Sequence, residues 1–162
     1  MAYHFNDNVY TKSFTPREPN VELLDAACER NIIVCLCNSS GKTFIATKLI
    51  QDTTNKISVK ERRITMYVAD SPSIVTHQAA CIRRLTDLNV GEFIDPNMHS
   101  KKADWKESIK SQQVLVLTTS VAVMLFKQAM LTMAQINLII LHGCHYVLKE
   151  NPNPMKEVKT LN

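Results

Sequence analysis

The six residues from Asn38 to Thr43 constrain the fold of this chain more than any other feature. They follow a continuously apolar run, residues 32–36, which is rich in β-branched side chains and predicts a strand buried on both faces. They lead into residues 42–53, whose pattern predicts a helix. A glycine–lysine–threonine sequence at a strand-to-helix junction is the core of a phosphate-binding loop, because backbone N–H groups and the helix dipole favour an anion there.

The predicted nucleotide-binding residues of this loop are Asn38, Ser39, Ser40, Gly41, Lys42 and Thr43. Lys42 would contact the β- and γ-phosphates of ATP, and the Thr43 hydroxyl would bind Mg²⁺. The fuller motif has further glycines where this chain has Leu36 and Ser39, so we expect a loop that is less open to phosphate. The alternative is that Ser39 or Ser40 caps the helix and that Lys42 is solvated.

Strands and helices continue to alternate along the chain, which predicts an α/β fold whose parallel sheet is covered by helices on both faces. Residues 95–110 are expected to form an exposed polar segment anchored by Trp105, and Arg83 and Arg84 a solvated helix face. The predicted helices are residues 16–30, 42–53, 73–88 and 121–129, and the predicted strands are residues 32–36, 64–69, 90–93, 114–117 and 136–141.

Composition excludes membrane proteins more clearly than any other class. No apolar run is long enough to span a bilayer and the first residues lack a secretory signal, so we expect no membrane association and a cytoplasmic location. The net charge of +4 is compatible with a polyanionic partner but does not require one. The five cysteines include no Cys-x-x-Cys pair, and we expect reduced thiols that are mostly buried.

Several segments resemble, in the right order, the helicase region of the Dicer family. Residues 31–46 look like its phosphate-binding segment, and residues 85–93 are similar to its Ser-Asp-Leu-x-Val-Gly-Glu-Tyr stretch. Residues 15–24 resemble its entry motif, Arg-x-Tyr-Gln-x-Glu-Leu-Leu, with Asn20 in place of the adenine-reading glutamine. The resemblance runs from residue 15 to residue 152 and implies a RecA-like P-loop domain, the first lobe of a superfamily-two RNA helicase.

The family's next motif, Asp-Glu-x-His, is degenerate in this chain. After the strand at residues 136–141 the sequence reads His142-Gly143-Cys144-His145. The resemblance implies that the aspartate holds Mg²⁺ and that the glutamate activates the attacking water. Histidine is a poor ligand for hard Mg²⁺, and glycine has no side chain to act as a base, so we expect hydrolysis to be very slow or absent. The alternative is a zinc site formed by His142, Cys144 and His145 with Cys35 or Cys37.

By the same resemblance, the loops after the second and third strands contact RNA. Hydroxyl and amide side chains suit phosphate and ribose contacts, which position a duplex without reading its sequence. The alternative is that Ser71 or Ser73, and Thr119 or Ser120, are helix caps. The predicted RNA-binding residues are Ser71, Gln78, Thr118 and Thr119.

These interpretations lead to a single prediction of organisation. We expect an irregular lead-in at residues 1–14, a partial ATP-binding helicase lobe at residues 15–150 that is incomplete at its C-terminus, and a frayed tail at residues 151–162. The sequence stops before the Ser-Ala-Thr strand, the second helicase lobe and the nuclease domains of the family. We therefore expect either a fragment of a longer Dicer or a truncated duplicate.

The predicted function is that of a nucleotide- and RNA-contacting lobe in a Dicer-like endoribonuclease of small-RNA (miRNA or siRNA) processing, with little or no ATP hydrolysis. Its expected partners are double-stranded or precursor hairpin RNA, the second lobe and nuclease domains of a full gene, and a dsRNA-binding protein. The alternative is an active ATP-dependent RNA helicase lobe in which another acidic residue replaces the lost pair.

Overall fold

A parallel sheet of four strands organises the protein, which we describe from a computed structural model at residues 18–36, 41–56, 63–98 and 102–143. The sheet has the order β2-β3-β1-β4, and all three pairings are parallel. The predicted α/β class is therefore confirmed, and so are the four predicted strands in this sheet. Their bounds are β1 (Ile64–Ala69), β2 (Val90–Phe93), β3 (Val114–Thr118) and β4 (Ile136–Leu141).

Five helices and one 3-10 turn surround this sheet in the described part of the chain. α2 and α3 cover one face, where Ile50, Val75 and Ile82 pack against the strands. α4 and α5 cover the other face, where Trp105 and Leu125 lie in a second apolar cluster. The bounds are α1 (Glu18–Glu29), α2 (Lys42–Asn55), α3 (Pro72–Leu85), α4 (Lys102–Lys110), α5 (Thr119–Lys127) and the turn Met133–Gln135.

The strand predicted at residues 32–36 is absent from the sheet. These residues have no regular secondary structure, and Ile33 is 60% exposed. The physical reason is that a strand must pair its backbone N–H and C=O groups with a neighbour, which an apolar pattern cannot supply. β4 is the outer strand on this side of the described sheet, and its Leu141 is 59% exposed.

The predicted polar segment at residues 95–110 contains a helix that the sequence analysis missed. In α4, Trp105 and Ile109 are buried four residues apart on the face that meets the sheet, and the Trp105 ring lies 5.6 Å from that of Phe93. The predicted anchoring role of Trp105 is confirmed. The helix was missed because so few of its residues are apolar that no helical period stands out.

Two further expectations about side chains are corrected. Arg83 is not simply solvated, because its guanidinium donates to the Val90 carbonyl at 3.1 and 3.2 Å and reaches Glu92 at 3.4 Å. The described cysteines are not buried: Cys28 and Cys35 are exposed and Cys81 is half-buried. Arg84 is exposed, as expected. Within the described ranges, no helix combines the length and apolar character needed to cross a membrane.

Candidate functional site

The carboxyl ends of the parallel strands bring the candidate residues to one edge of the sheet. Ala69, the last residue of β1, is in register with Thr118 of β3, and Val68 is in register with Leu141 of β4. The residues that follow these strands therefore share one edge, which is where ligands bind in open α/β sheets. Ser71, Thr119 and His142 all lie just beyond it.

Gly41 forms the junction that starts α2. It occupies the N-cap position with φ 99° and ψ 10°, a left-handed conformation that glycine adopts without strain. Its carbonyl accepts the first helical bond, from the Ile45 amide at 3.0 Å. This geometry explains why the loop retains a glycine at this position. The neighbouring predictions at Asn38, Ser39 and Ser40 lie outside the described residues, as does the alternative of a serine cap.

Lys42 turns back onto the segment that precedes the loop. Its Nζ donates a hydrogen bond of 2.6 Å to the carbonyl oxygen of Leu36. This bond ties the half-buried Lys42 side chain to the segment that precedes the loop. Thr43 follows it and is half-buried.

The side-chain amide of Asn20 is buried, and its N–H donor makes no hydrogen bond. It is 2% exposed in α1, which packs against α2, and its Nδ2 has no hydrogen-bond partner. An unsatisfied buried donor costs about 1–3 kcal/mol. The side chain that was predicted to contact adenine is therefore buried in the helix that packs against α2.

His142 is held by two bonds at the end of β4. Its backbone N–H continues the β1–β4 pairing by donating to Val68 at 2.8 Å, and its ring Nδ1 lies 2.9 Å from the hydroxyl of Tyr67. Burial raises the pKa of the Tyr67 phenol, and Cys81 adds to the shift, so the hydroxyl keeps its proton at neutral pH. Gly143 follows with φ 72°.

The box position at this edge carries no oxygen side chain that could hold magnesium. Mg²⁺ prefers oxygen ligands in octahedral geometry, whereas the box position carries an imidazole and then a glycine. Across the described ranges, no three His, Cys, Asp or Glu side chains are grouped so that they could hold a metal ion. The zinc alternative stays untested, because Cys37, Cys144 and His145 lie outside the described residues.

Of the four predicted RNA contacts, Thr119 is exposed, Ser71 is half-buried, and Thr118 and Gln78 are buried. Thr118 is 3% exposed: its Oγ1 donates to Ile94 at 2.9 Å and accepts from the Val121 amide, so it caps α5. Gln78 is 5% exposed, and its Oε1 has no partner beneath α3. These two side chains lie below the surface that RNA would touch.

The other two predicted contacts remain at the surface of the sheet edge. Ser71 precedes α3 without making a side-chain cap bond, and its Oγ lies 2.7 Å from that of Ser73. Thr119 is exposed and bonds weakly to the Ala69 carbonyl at 3.4 Å. The predicted caps, by Ser71 or Ser73 and by Thr119 or Ser120, are not observed, because the α5 cap belongs to Thr118.

The sequence analysis did not single out Tyr67. It is a tyrosine inside an otherwise apolar buried strand, and a polar tip on such a strand usually has a hydrogen-bond partner. That signal was present in the sequence, but the partner is 75 residues away, so nothing local identified His142 as the partner.

The fold is that of an α/β domain with a parallel sheet, in which the Gly41-Lys42-Thr43 sequence stands at the start of α2. Comparison with curated proteins then gives the relationship. The chain is 36% identical over 148 residues to Endoribonuclease Dicer of Danio rerio and 35% identical over 152 residues to that of Gallus gallus, in each case over 91% of this chain and 8% of the relative. It is 31% identical over 145 residues to Dicer-like protein 1 of Aspergillus niger, over 85% of this chain and 9% of that protein. By sequence, the chain belongs to the Dicer family.

Two other comparisons complete this description. No family model matches the chain. Among solved structures, a nuclease-deletion mutant of the Type ISP restriction-modification enzyme LlaGI, in complex with a DNA substrate mimic, is similar with a TM-score of 0.40 and 15% identity, over 77% of this chain and 12% of that one. The chain spans less than a tenth of the length of the vertebrate Dicers that it matches.

Proposed function

We propose that this chain is a first helicase lobe of a Dicer-type endoribonuclease that binds nucleotide and contacts RNA with little or no ATP hydrolysis. The observation that carries the proposal is His142, which stands at the end of β4 where a hydrolytic box needs a carboxylate and is engaged by Tyr67 instead. The family relationship and the Gly41–Lys42 helix start support the nucleotide-binding half.

Loss of hydrolysis follows from the groups that remain. A general base contributes about 10²–10⁴-fold to a rate, and Gly143 has no side chain that can act as one. The imidazole of His142 stands in place of the carboxylate, and its Nδ1 is engaged by the Tyr67 hydroxyl. Nucleotide binding rests on other residues, Lys42 and the first turn of α2, and does not require the box.

RNA contact would involve two hydroxyl side chains at the sheet edge. Ser71 and Thr119 follow neighbouring strands, so they can donate to successive phosphates or riboses of one strand without reading its sequence. The substrates we propose are double-stranded RNA or precursor hairpins of miRNA and siRNA processing in the cytoplasm. The second lobe, the nuclease domains and a dsRNA-binding protein would be the partners in a complete assembly.

The proposal is tested by measuring nucleotide binding and turnover separately. We expect ATP binding by calorimetry, lost in Lys42→Ala, and no ATPase activity above background with Mg²⁺ and double-stranded RNA. Lys106→Ala is the matched control, because Lys106 is exposed on α4 at the other face of the sheet. Steady turnover that disappears in Lys42→Ala would instead establish the alternative, an active helicase lobe.

A further inference from the structure

A histidine and a cysteine face each other on one side of α3. Cys81 follows His77 by four residues, and side chains at this spacing are neighbours on the surface of a helix. The Cys81 Sγ lies 3.9 Å from the His77 Nε2, so the thiol and the ring nitrogen are directed at each other. The function proposed above uses neither residue.

The separation of these two atoms suits a shared metal ion. Zinc binds thiolate sulfur at about 2.3 Å and imidazole nitrogen at about 2.0–2.1 Å, so two such ligands of a tetrahedral ion lie about 3.5 Å apart. The observed distance is about 0.4 Å longer, which a small rotation of the exposed His77 side chain can close. Within the described ranges, neither side chain makes a second hydrogen bond that a metal ion would have to break.

The surroundings of the pair favour a thiophilic cation over a hard one. α3 contains no acidic residue, whereas Mg²⁺ and Ca²⁺ depend on carboxylate and other oxygen ligands. Arg84 is exposed three residues beyond Cys81 on the same side of the helix, so its charge opposes an ion that is held by charge alone. A thiolate and an imidazole are ligands that Zn²⁺ prefers, and the thiolate charge offsets this repulsion.

We propose that His77 and Cys81 form a zinc site with two protein ligands on the surface of α3. Among the described residues, no third His, Cys, Asp or Glu side chain joins the pair, so water completes the coordination of the metal. His77 is exposed and Cys81 is half-buried, so a metal ion reaches both ligand atoms from solvent. This site is separate from the nucleotide-binding function proposed above and does not depend on it.

The test is titration of the reduced full chain with Co²⁺, followed by displacement with Zn²⁺. Co²⁺ accepts the same ligands as Zn²⁺, and a thiolate bound to it gives a charge-transfer band in the near ultraviolet. We expect Cys81→Ser to lose one bound Co²⁺ per chain together with its band. His77→Ala should weaken the binding of that ion by about tenfold or more, because one of its two protein ligands is removed. Wild-type band and affinity in both variants would overturn the proposal.

Two further variants distinguish this site from other thiols of the chain. His77→Cys places a second thiolate at the same helical spacing, so the charge-transfer band should become about twice as strong. An unchanged band would place residue 77 outside the coordination of the metal and overturn the proposal. Cys35→Ser is the control, because it removes an exposed thiol outside α3 and should leave this metal ion bound. Loss of the metal in Cys35→Ser but not in Cys81→Ser would assign zinc to the segment before the phosphate-binding loop, against the proposal.

Discussion

The hydroxyl of Tyr67 and the Nδ1 of His142 lie 2.9 Å apart and tie β1 to the end of β4 through their side chains. The two strands are already paired along their backbones, and the His142 amide extends that pairing to the Val68 carbonyl. His142, at a position that the family resemblance assigns to catalysis, therefore takes part in the hydrogen bonding of the sheet. The tie adds a cross-strand contact at the position where, under the proposed function, hydrolysis would need a carboxylate.

This contact should stabilise the fold measurably. Tyr67→Phe and His142→Ala should each lower the free energy of unfolding, and a double-mutant cycle in urea should give a coupling energy of about 0.5–1.5 kcal/mol, the net value of one hydrogen bond. The phenylalanine keeps the packing of the ring, so the cycle isolates the bond. Additive effects of the two substitutions would show that the two groups do not stabilise each other.

Substitutions at the adjacent residues Thr118 and Thr119 should have different effects. Thr118→Ala should lower stability, whereas Thr119→Ala should weaken RNA binding. Thr118→Ala removes the α5 cap and should destabilise the fold by about 0.5–2 kcal/mol. Thr119→Ala removes an exposed hydroxyl with one long bond, so stability should change by less than about 0.5 kcal/mol. Thermal unfolding measures the first effect, and filter binding of double-stranded RNA measures the second. Equal RNA affinity for wild type and Thr119→Ala would remove Thr119 from the interface.

The sequence predicted most of the sheet and little of the site. β1 and β4 match their predicted bounds because short apolar runs bounded by polar residues specify strands locally. Residues 32–36 carry the same pattern but are not paired, because pairing depends on a neighbour that composition does not encode. The Tyr67–His142 bond joins residues 75 apart, so no local pattern indicates it. By contrast, the departure from the Asp-Glu-x-His motif is visible directly in the sequence, at His142 and Gly143.

The outer edge of β4 should be the site where the chain aggregates. Leu141 and Ile139 are exposed on this strand, and an unprotected apolar edge is a template for further strands. Leu141→Lys should slow aggregation, as measured by light scattering, with little loss of stability. Val123→Lys is the matched control, because Val123 is a similarly exposed apolar residue on helix α5. If Val123→Lys slowed aggregation as much as Leu141→Lys, the effect would come from general solubility and not from the β4 edge.

Hydrogen exchange tests the same edge without mutation. The amides of β3, which is paired on both sides and fully buried, should exchange slowly. Those of β4 should exchange faster, because β4 is paired on one side in the described sheet. If the amides of β3, β4 and residues 32–36 all exchanged slowly and cooperatively, the β4 edge would not be the less stable part of the sheet.

Lys42 should control the affinity for ATP, whereas the box residues His142 and Gly143 should control the rate of hydrolysis. Charge-assisted hydrogen bonds contribute on the order of 1.5–3 kcal/mol each, so Lys42→Ala should weaken ATP affinity by roughly ten- to a hundredfold. Lys42 is also bonded to Leu36, and part of the phosphate contact must replace that bond, which favours the lower end of the range. Calorimetry of wild type and Lys42→Ala measures the difference. No detectable binding by the wild type at high nucleotide would mean that the loop itself has decayed.

Restoring the box tests whether its loss alone limits turnover. His142→Asp with Gly143→Glu reinstates the metal-holding and water-activating groups, but Gly143 has φ 72°, where a glutamate is strained by about 1–2 kcal/mol. The double variant should therefore be less stable than His142→Asp alone, and circular dichroism should confirm folding before turnover is read. We expect a rise in ATPase rate with Mg²⁺ that Lys42→Ala abolishes. A folded double variant that binds ATP without any gain in rate would place the defect in the loop around Ser39, where a missing glycine restricts the approach of phosphate.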